Sequence, residues 1–189
     1  MKTPNQLKPL LGALRSLQNL IDQFESQGMI IGGVAVSLLS EPRFTADIDA
    51  VIFLSIAELA RLLEAADKEG FESRVSNVQE IARASRVVFL RHRASGILAD
   101  VSLGALPFET EAIERSQLVK IERTKLRVPS VEDLIIMKAI AHRPKDLVDI
   151  QSLIDANPKL DRARIENWVK QYADVLEMPE LWDDVAKLL

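Results

Sequence analysis

A chain of 189 residues with 48% hydrophobic and 28% charged side chains can bury a real core, which excludes a disordered polymer. It has no cysteine, which excludes a disulfide framework or a thiolate metal site, and no apolar run approaches the ~18 residues needed to span a bilayer. The net charge of −4 is concentrated at one end: Asp146 to Leu189 holds ten acidic and five basic residues, against 18 and 19 before it, which speaks against a protein built mainly to coat nucleic acid.

The opening MKTPNQLKPL lacks the apolar core of a secretory signal, so a cytoplasmic protein is expected. Leu10, Leu11, Leu14, Leu17 and Ile21 recur at helical spacing, predicting an amphipathic helix over 6–27 that ends at Gly28. MII is then a short strand, broken by Gly32-Gly33, and VAVSLLS a short helix stopped by Pro42. DIDAVIF reads as a strand. Ser55 and Glu58 have the spacing of a capping box, opening a helix with Ile56, Leu59, Leu63 and Ala66 on one face that stops at Gly70. RVVFL and GILADVSL, separated by RHRAS, read as two strands joined by a short turn. A helix follows around Glu109–Ser116, then two short edge strands in LVKI and KLRVP. Ser130 caps a helix in VEDLIIMKAIAHR, Pro144 interrupts it, and KDLVDIQSLIDA reads as the next helix. Helices over 161–175 and 180–188 complete a mixed α/β body, with a core over 1–128 and a helical segment over 129–189 packed on it.

Strand side chains alternate faces, so Asp47 and Asp49 point the same way inside a greasy strand. Two carboxylates so close repel, and a shared proton or a bound cation relieves them. Asp100, alone in LADVSLG, adds a third carboxylate if its strand lies alongside, or taken alone is a strand-end acid paired with an arginine. Three acids without histidine or cysteine are hard oxygen ligands that suit Mg²⁺ or Mn²⁺. Such a cluster can hold two ions for an in-line attack on phosphate, the third acid helping to deprotonate the attacking hydroxyl. Gly32 and Gly33 at a strand-to-helix turn let backbone approach a ligand and offer free N–H groups to phosphates. Neither GxxxxGK[ST] nor GxGxxG is present. Lys138, Arg143 and Lys145 are either surface bases at a helix end, favourable with its dipole, or positive charge set against a triphosphate, and Asp146 and Asp149 orient these bases, bind ribose or cap the next helix. Arg86, Arg91, His92 and Arg93, with Lys120, Arg123, Lys125 and Arg127, form either an RNA groove or solvated strand edges.

IGG at 31–33, ADIDAV at 46–51 and ADV at 99–101 resemble the hG[G/S], Dh[D/E]h and third-acid blocks of the minimal nucleotidyltransferases. Arg43-Phe44-Thr45 resembles the R-x-[S/T] of the AbiEii-like toxin branch. Pro129, Asp133, Leu134, Lys138, Arg143, Lys145, Asp146 and Asp149 match its C-terminal block. The resemblance spans about residues 28–155. It implies the polymerase-β-like nucleotidyltransferase fold, a small mixed sheet flanked by helices. It also implies metal at Asp47, Asp49 and Asp100, and nucleotide contacts from Gly32, Gly33, Arg43, Thr45, Lys138, Lys145 and Asp146. The expected reaction moves a nucleoside monophosphate from an NTP, with two Mg²⁺ ions, to an RNA or tRNA end, a protein side chain or a small molecule. A place in a toxin–antitoxin pair, with an antitoxin partner, is part of that expectation. A non-catalytic scaffold or antitoxin-like partner of the same fold is the alternative. The glycine pair lacks the serine of the Gly-Ser form, leaving Ser37 as the nearest hydroxyl.

Overall fold

A computed structural model describes residues 4–25 and 27–189. The first apolar stripe begins as a 3₁₀ turn over Asn5–Leu10, with Pro9 inside it, and becomes helix α1 only at Leu11–Asp22. The predicted helix was longer and includes Ser26, which lies outside the described residues. Gly28 does not end that helix; it opens strand β1, Gly28–Ile31. Helix α2, Gly32–Leu39, starts at the next residue, a change of direction that Gly32 permits with φ +64°.

Strand β2, Asp47–Phe53, has the predicted bounds. Its even residues Ile48, Ala50 and Ile52 are fully buried on one face, leaving Asp47 and Asp49 on the other. Ser55 accepts from the Ala57 N–H, but Glu58 pairs with Arg61 rather than closing a box, so a 3₁₀ turn precedes helix α3, Leu59–Lys68. Two elements follow that no sequence pattern announced: strand β3, Phe71–Ser73, and helix α4, Val78–Ser85. Strands β4, Val87–His92, and β5, Leu98–Gly104, form the predicted antiparallel pair.

The sheet runs β1-β2-β5-β4-β3, with β2 and β5 parallel and every other pair antiparallel. This mixed sheet flanked by helices is the expected α/β class. Helix α5, Pro107–Glu114, leads to the hairpin β6, Gln117–Ile121, and β7, Thr124–Val128, which forms its own two-stranded sheet. Gln18, buried on α1, accepts from the Arg127 N–H at 2.8 Å and ties the hairpin to the body.

Helix α6, Val131–Ala141, is capped by Ser130, which accepts from the Asp133 N–H at 3.1 Å. It is apolar on most sides because helix α2, helix α7 (Pro144–Ala156) and helix α8 (Arg162–Leu176) surround it. Asp133 is fully buried, and Arg164 donates to it at 2.8 Å. Trp168 packs its ring against Phe108 at 5.2 Å, and helix α9, Glu180–Leu188, closes the end. No helix among the described residues is long and apolar enough to cross a membrane.

Candidate active site

The register of the parallel pair builds the site. Asp49 lies directly beside Asp100, one strand over on the same face. Asp47 stands one turn of the pleat away, on the rim. Burial first, then the like charges of Asp47 and Asp100, push Asp49 up to about 6, and Lys138 and Arg143 offset only part of this. Asp100 is also raised, by burial first; Arg74 pulls it down and Asp47 pushes it up.

Gly32 and Gly33 are fitted to these acids. A Cβ on Gly32 would sit 2.0 Å from Asp49 Oδ2, and one on Gly33 would sit 2.7 Å from Thr45 Oγ1. The bare backbone at the start of α2 therefore presses directly on the acidic face. Thr45, buried, donates to Asp47 Oδ1 at 3.1 Å and fixes that carboxylate's rotamer. Ser37 does not face this site. It is buried and spans the Arg43 backbone, donating to its carbonyl at 3.0 Å and accepting from its N–H at 3.3 Å.

Opposite the acids lies a buried ionic cluster. Lys138, 5% exposed, donates to Asp146 at 2.9 Å and approaches Asp149 at 2.8 Å. Arg43 grips Asp149 with two bonds, at 2.6 and 2.9 Å, and Arg143 grips Asp146 from the other side. Burial pushes Asp146 up, but the hydrogen bonds from Arg143 and Lys138 override it and hold the carboxyl at about 2. Asp146 also accepts from the Arg143 N–H at 3.2 Å, capping α7. Three cations face two carboxylates, so the cluster carries one spare positive charge toward the acids.

These groups enclose a cleft of about 460 Å³. Gly32, Gly33, Arg43, Thr45, Asp47, Asp49, Asp100, Lys138 and Lys145 all line it, Lys145 exposed at its mouth. Asp146 is not on the wall; it is buried behind Lys138. Sequence reasoning missed Arg74, which follows β3 and forms an ion pair with Asp100. Its guanidinium lies 4.9 Å over the Phe89 ring, and Phe89 is the β4 residue in register with Asp100. Nothing in ESRVSN marks that arginine. The isolated acidic residue of β5 was the available signal that some cation must meet it.

The donor set fits a hard divalent cation. Its atoms are carboxylate oxygens only, and Asp49 carries like-charge repulsion that a cation would relieve. Among the described residues, no three acidic or imidazole side chains already converge on one metal position. Asp47 and Asp49 are the open pair, and Asp100 is the member held by Arg74.

The basic residues considered for an RNA groove are mostly engaged. Arg91 pairs with Glu72, Arg93 with Asp67, and Arg86 donates to the carbonyls of Leu54, Leu103 and Gly104. His92 bonds the Ser95 hydroxyl and His142 the Asp184 carboxylate.

This sheet, with its paired glycines and in-register acids, is that of a polymerase-β-like nucleotidyltransferase. Residues 5–180 match the family described as "Nucleotidyltransferase of unknown function (DUF6036)", and the chain belongs to it. It is therefore an enzyme of the nucleotidyl-transfer class. Solved structures of other proteins share the fold. The antibiotic-resistance factor ANT(2'')-Ia aligns at a TM-score of 0.58 and 14% identity, over 90% of this chain and 96% of that one. An antigenic nucleotidyltransferase-like protein from Paracoccidioides brasiliensis aligns at 0.53 and 17%, over 93% and 92%. No curated protein matches the sequence significantly.

Proposed function

We propose that the chain transfers a nucleoside monophosphate from a Mg²⁺-bound NTP to the hydroxyl of a small-molecule acceptor. One observation carries the reading: the β2–β5 register that sets Asp49 beside Asp100, with the bare Gly32 backbone against Asp49. Asp47 and Asp49 would hold the ions, joined by Asp100. Bound there, Mg²⁺ (or Mn²⁺) would supply charge neutralisation at the triphosphate and a template for in-line attack. Gly32 and Gly33 admit the phosphates. Asp100 takes the proton of the acceptor hydroxyl, whose oxygen bonds to the α-phosphorus while the bond from that phosphorus to the α–β bridging oxygen breaks. Pyrophosphate leaves toward the spare positive charge of Lys138, with Lys145 at the exit. Thr45 orients Asp47, Arg43 anchors its own loop to α7, and Asp146 poises Lys138.

A small acceptor is favoured over RNA because Arg86, Arg91 and Arg93 already have partners and no residue of the β6–β7 hairpin lines the cleft. An NTP substrate suits a cytoplasmic setting. A toxin role with an antitoxin partner rests on the AbiEii-like sequence blocks alone. The test is pyrophosphate release from each NTP with Mg²⁺ against a panel of hydroxyl-bearing small molecules and a tRNA pool. Release with a small acceptor, lost in Asp49→Asn, is expected. Release with tRNA and with no small molecule would overturn the choice of acceptor.

A further inference from the structure

Phe44 is 75% exposed, the ring of a large apolar side chain standing in solvent. A single exposed apolar residue on a surface needs no explanation. Three observations separate this one from that case.

First, its backbone is clamped. Ser37 brackets the Arg43 N–H and carbonyl, the Arg43 guanidinium is held by both oxygens of Asp149, and Arg43 Nη1 donates to the Phe44 carbonyl at 3.1 Å. On its other side Thr45 is buried and bonded to Asp47. The ring therefore projects from a fixed loop, with only two side-chain torsions to order on binding. Second, Phe44 lines the cleft, and among the described residues that do so it is the aromatic one. Third, it lies on the phosphate side. Its neighbours Thr45 and Arg43 are the groups an added Cβ on Gly33 would meet, at 2.7 and 3.2 Å, which sets the loop against the start of α2. Asp100, where an acceptor must arrive, is on β5, across β2 from that wall.

We propose that Phe44 is the stacking platform for the base of the bound nucleoside triphosphate. This rests on the nucleotide reading of the cleft given above. A π-face accepts every base, so Phe44 supplies affinity and leaves base choice to other groups.

The test is calorimetric titration of ATP, GTP, CTP, UTP and inorganic tripolyphosphate, each with Mg²⁺, into the wild type, Phe44→Ala and Phe44→Trp. Loss of stacking is expected to weaken all four NTPs in Phe44→Ala by roughly five- to a hundred-fold while leaving tripolyphosphate within about two-fold. Phe44→Trp keeps NTP affinity, and its added fluorescence is quenched by NTPs and not by tripolyphosphate. Because the ring is exposed, an unchanged melting temperature is expected in both variants and shows that the loop is intact. Equal NTP affinity in wild type and Phe44→Ala overturns the platform and leaves the nucleotide reading standing. A wild type that binds tripolyphosphate but no NTP, or neither, overturns both.

Discussion

Replacing Gly32 with alanine tests how closely the turn between β1 and α2 is fitted to the acidic face. The new Cβ would lie 2.0 Å from Asp49 Oδ2, 2.8 Å from its Cγ and 2.9 Å from its Cβ. Ordinary contact is near 3.5 Å, so the closest pair must separate by about 1.5 Å. The residue would also hold φ +64°, where an L side chain costs about 1–2 kcal/mol. Forcing the carboxylate aside adds about 1–3 kcal/mol. A loss near 3 kcal/mol lowers the melting temperature by about 6–12 °C in a chain of this size. The assay is a double-mutant cycle by urea unfolding, with Asp49→Gly removing the clashing atoms. In that background only the backbone cost should remain, so the two substitutions should couple by about 1–3 kcal/mol. An unperturbed Gly32→Ala, or the same loss in both backgrounds, would refute the reasoning.

The ionic cluster predicts an asymmetry. Lys138→Met leaves two matched arginine–carboxylate pairs and should cost under about 2 kcal/mol, whereas Asp149→Ala takes the carboxylate from Arg43, leaves three cations on Asp146 alone and should cost about 3–5 kcal/mol in urea unfolding. Equal losses would contradict the charge count. Asp49 has a folded value of about 6 against 3.8, so its favourable contribution is complete below about pH 3.8 and is lost as pH rises through 6. Asp49→Asn should therefore raise the melting temperature at about pH 8, by up to about 3 kcal/mol of stability, and change it little at about pH 4. A variant less stable than wild type at the higher pH would show that the acid is not repelled. Arg74→Gln removes a half-exposed cation from beside Asp100, and Mn²⁺ affinity measured by paramagnetic relaxation should rise by up to about five-fold. Unchanged or weaker Mn²⁺ binding would mean that Arg74 and the ion do not compete.

The acidic face was legible because period-two alternation is a local rule: DIDAVIF specifies both the strand and the side on which Asp47 and Asp49 stand. The β4–β5 hairpin was legible for the same reason, two apolar runs around a polar turn. Gly32 signalled a close approach, and only the folded chain names Asp49 as what it approaches. What stayed hidden is set by distance along the chain. Arg43 and Asp149 are 106 residues apart, and no local pattern pairs them. Strand β3 and helix α4 are too short for periodicity to register, so Arg74, between them, had no address. Ser55 and Glu58 had the spacing of a capping box, but Glu58 found Arg61. Lys138 had two readings in the sequence, a surface base or a phosphate ligand. Its burial between Asp146 and Asp149 excludes the first.

The central claim is that the paired acids and the glycine turn exist to hold a metal-bound triphosphate. Its most direct test is calorimetric titration of each NTP, with and without Mg²⁺, into wild type and Asp47→Asn. Saturable binding that needs Mg²⁺ and disappears in a variant of unchanged melting temperature is the predicted result. Binding indifferent to Mg²⁺, or equally strong in Asp47→Asn, would contradict the account.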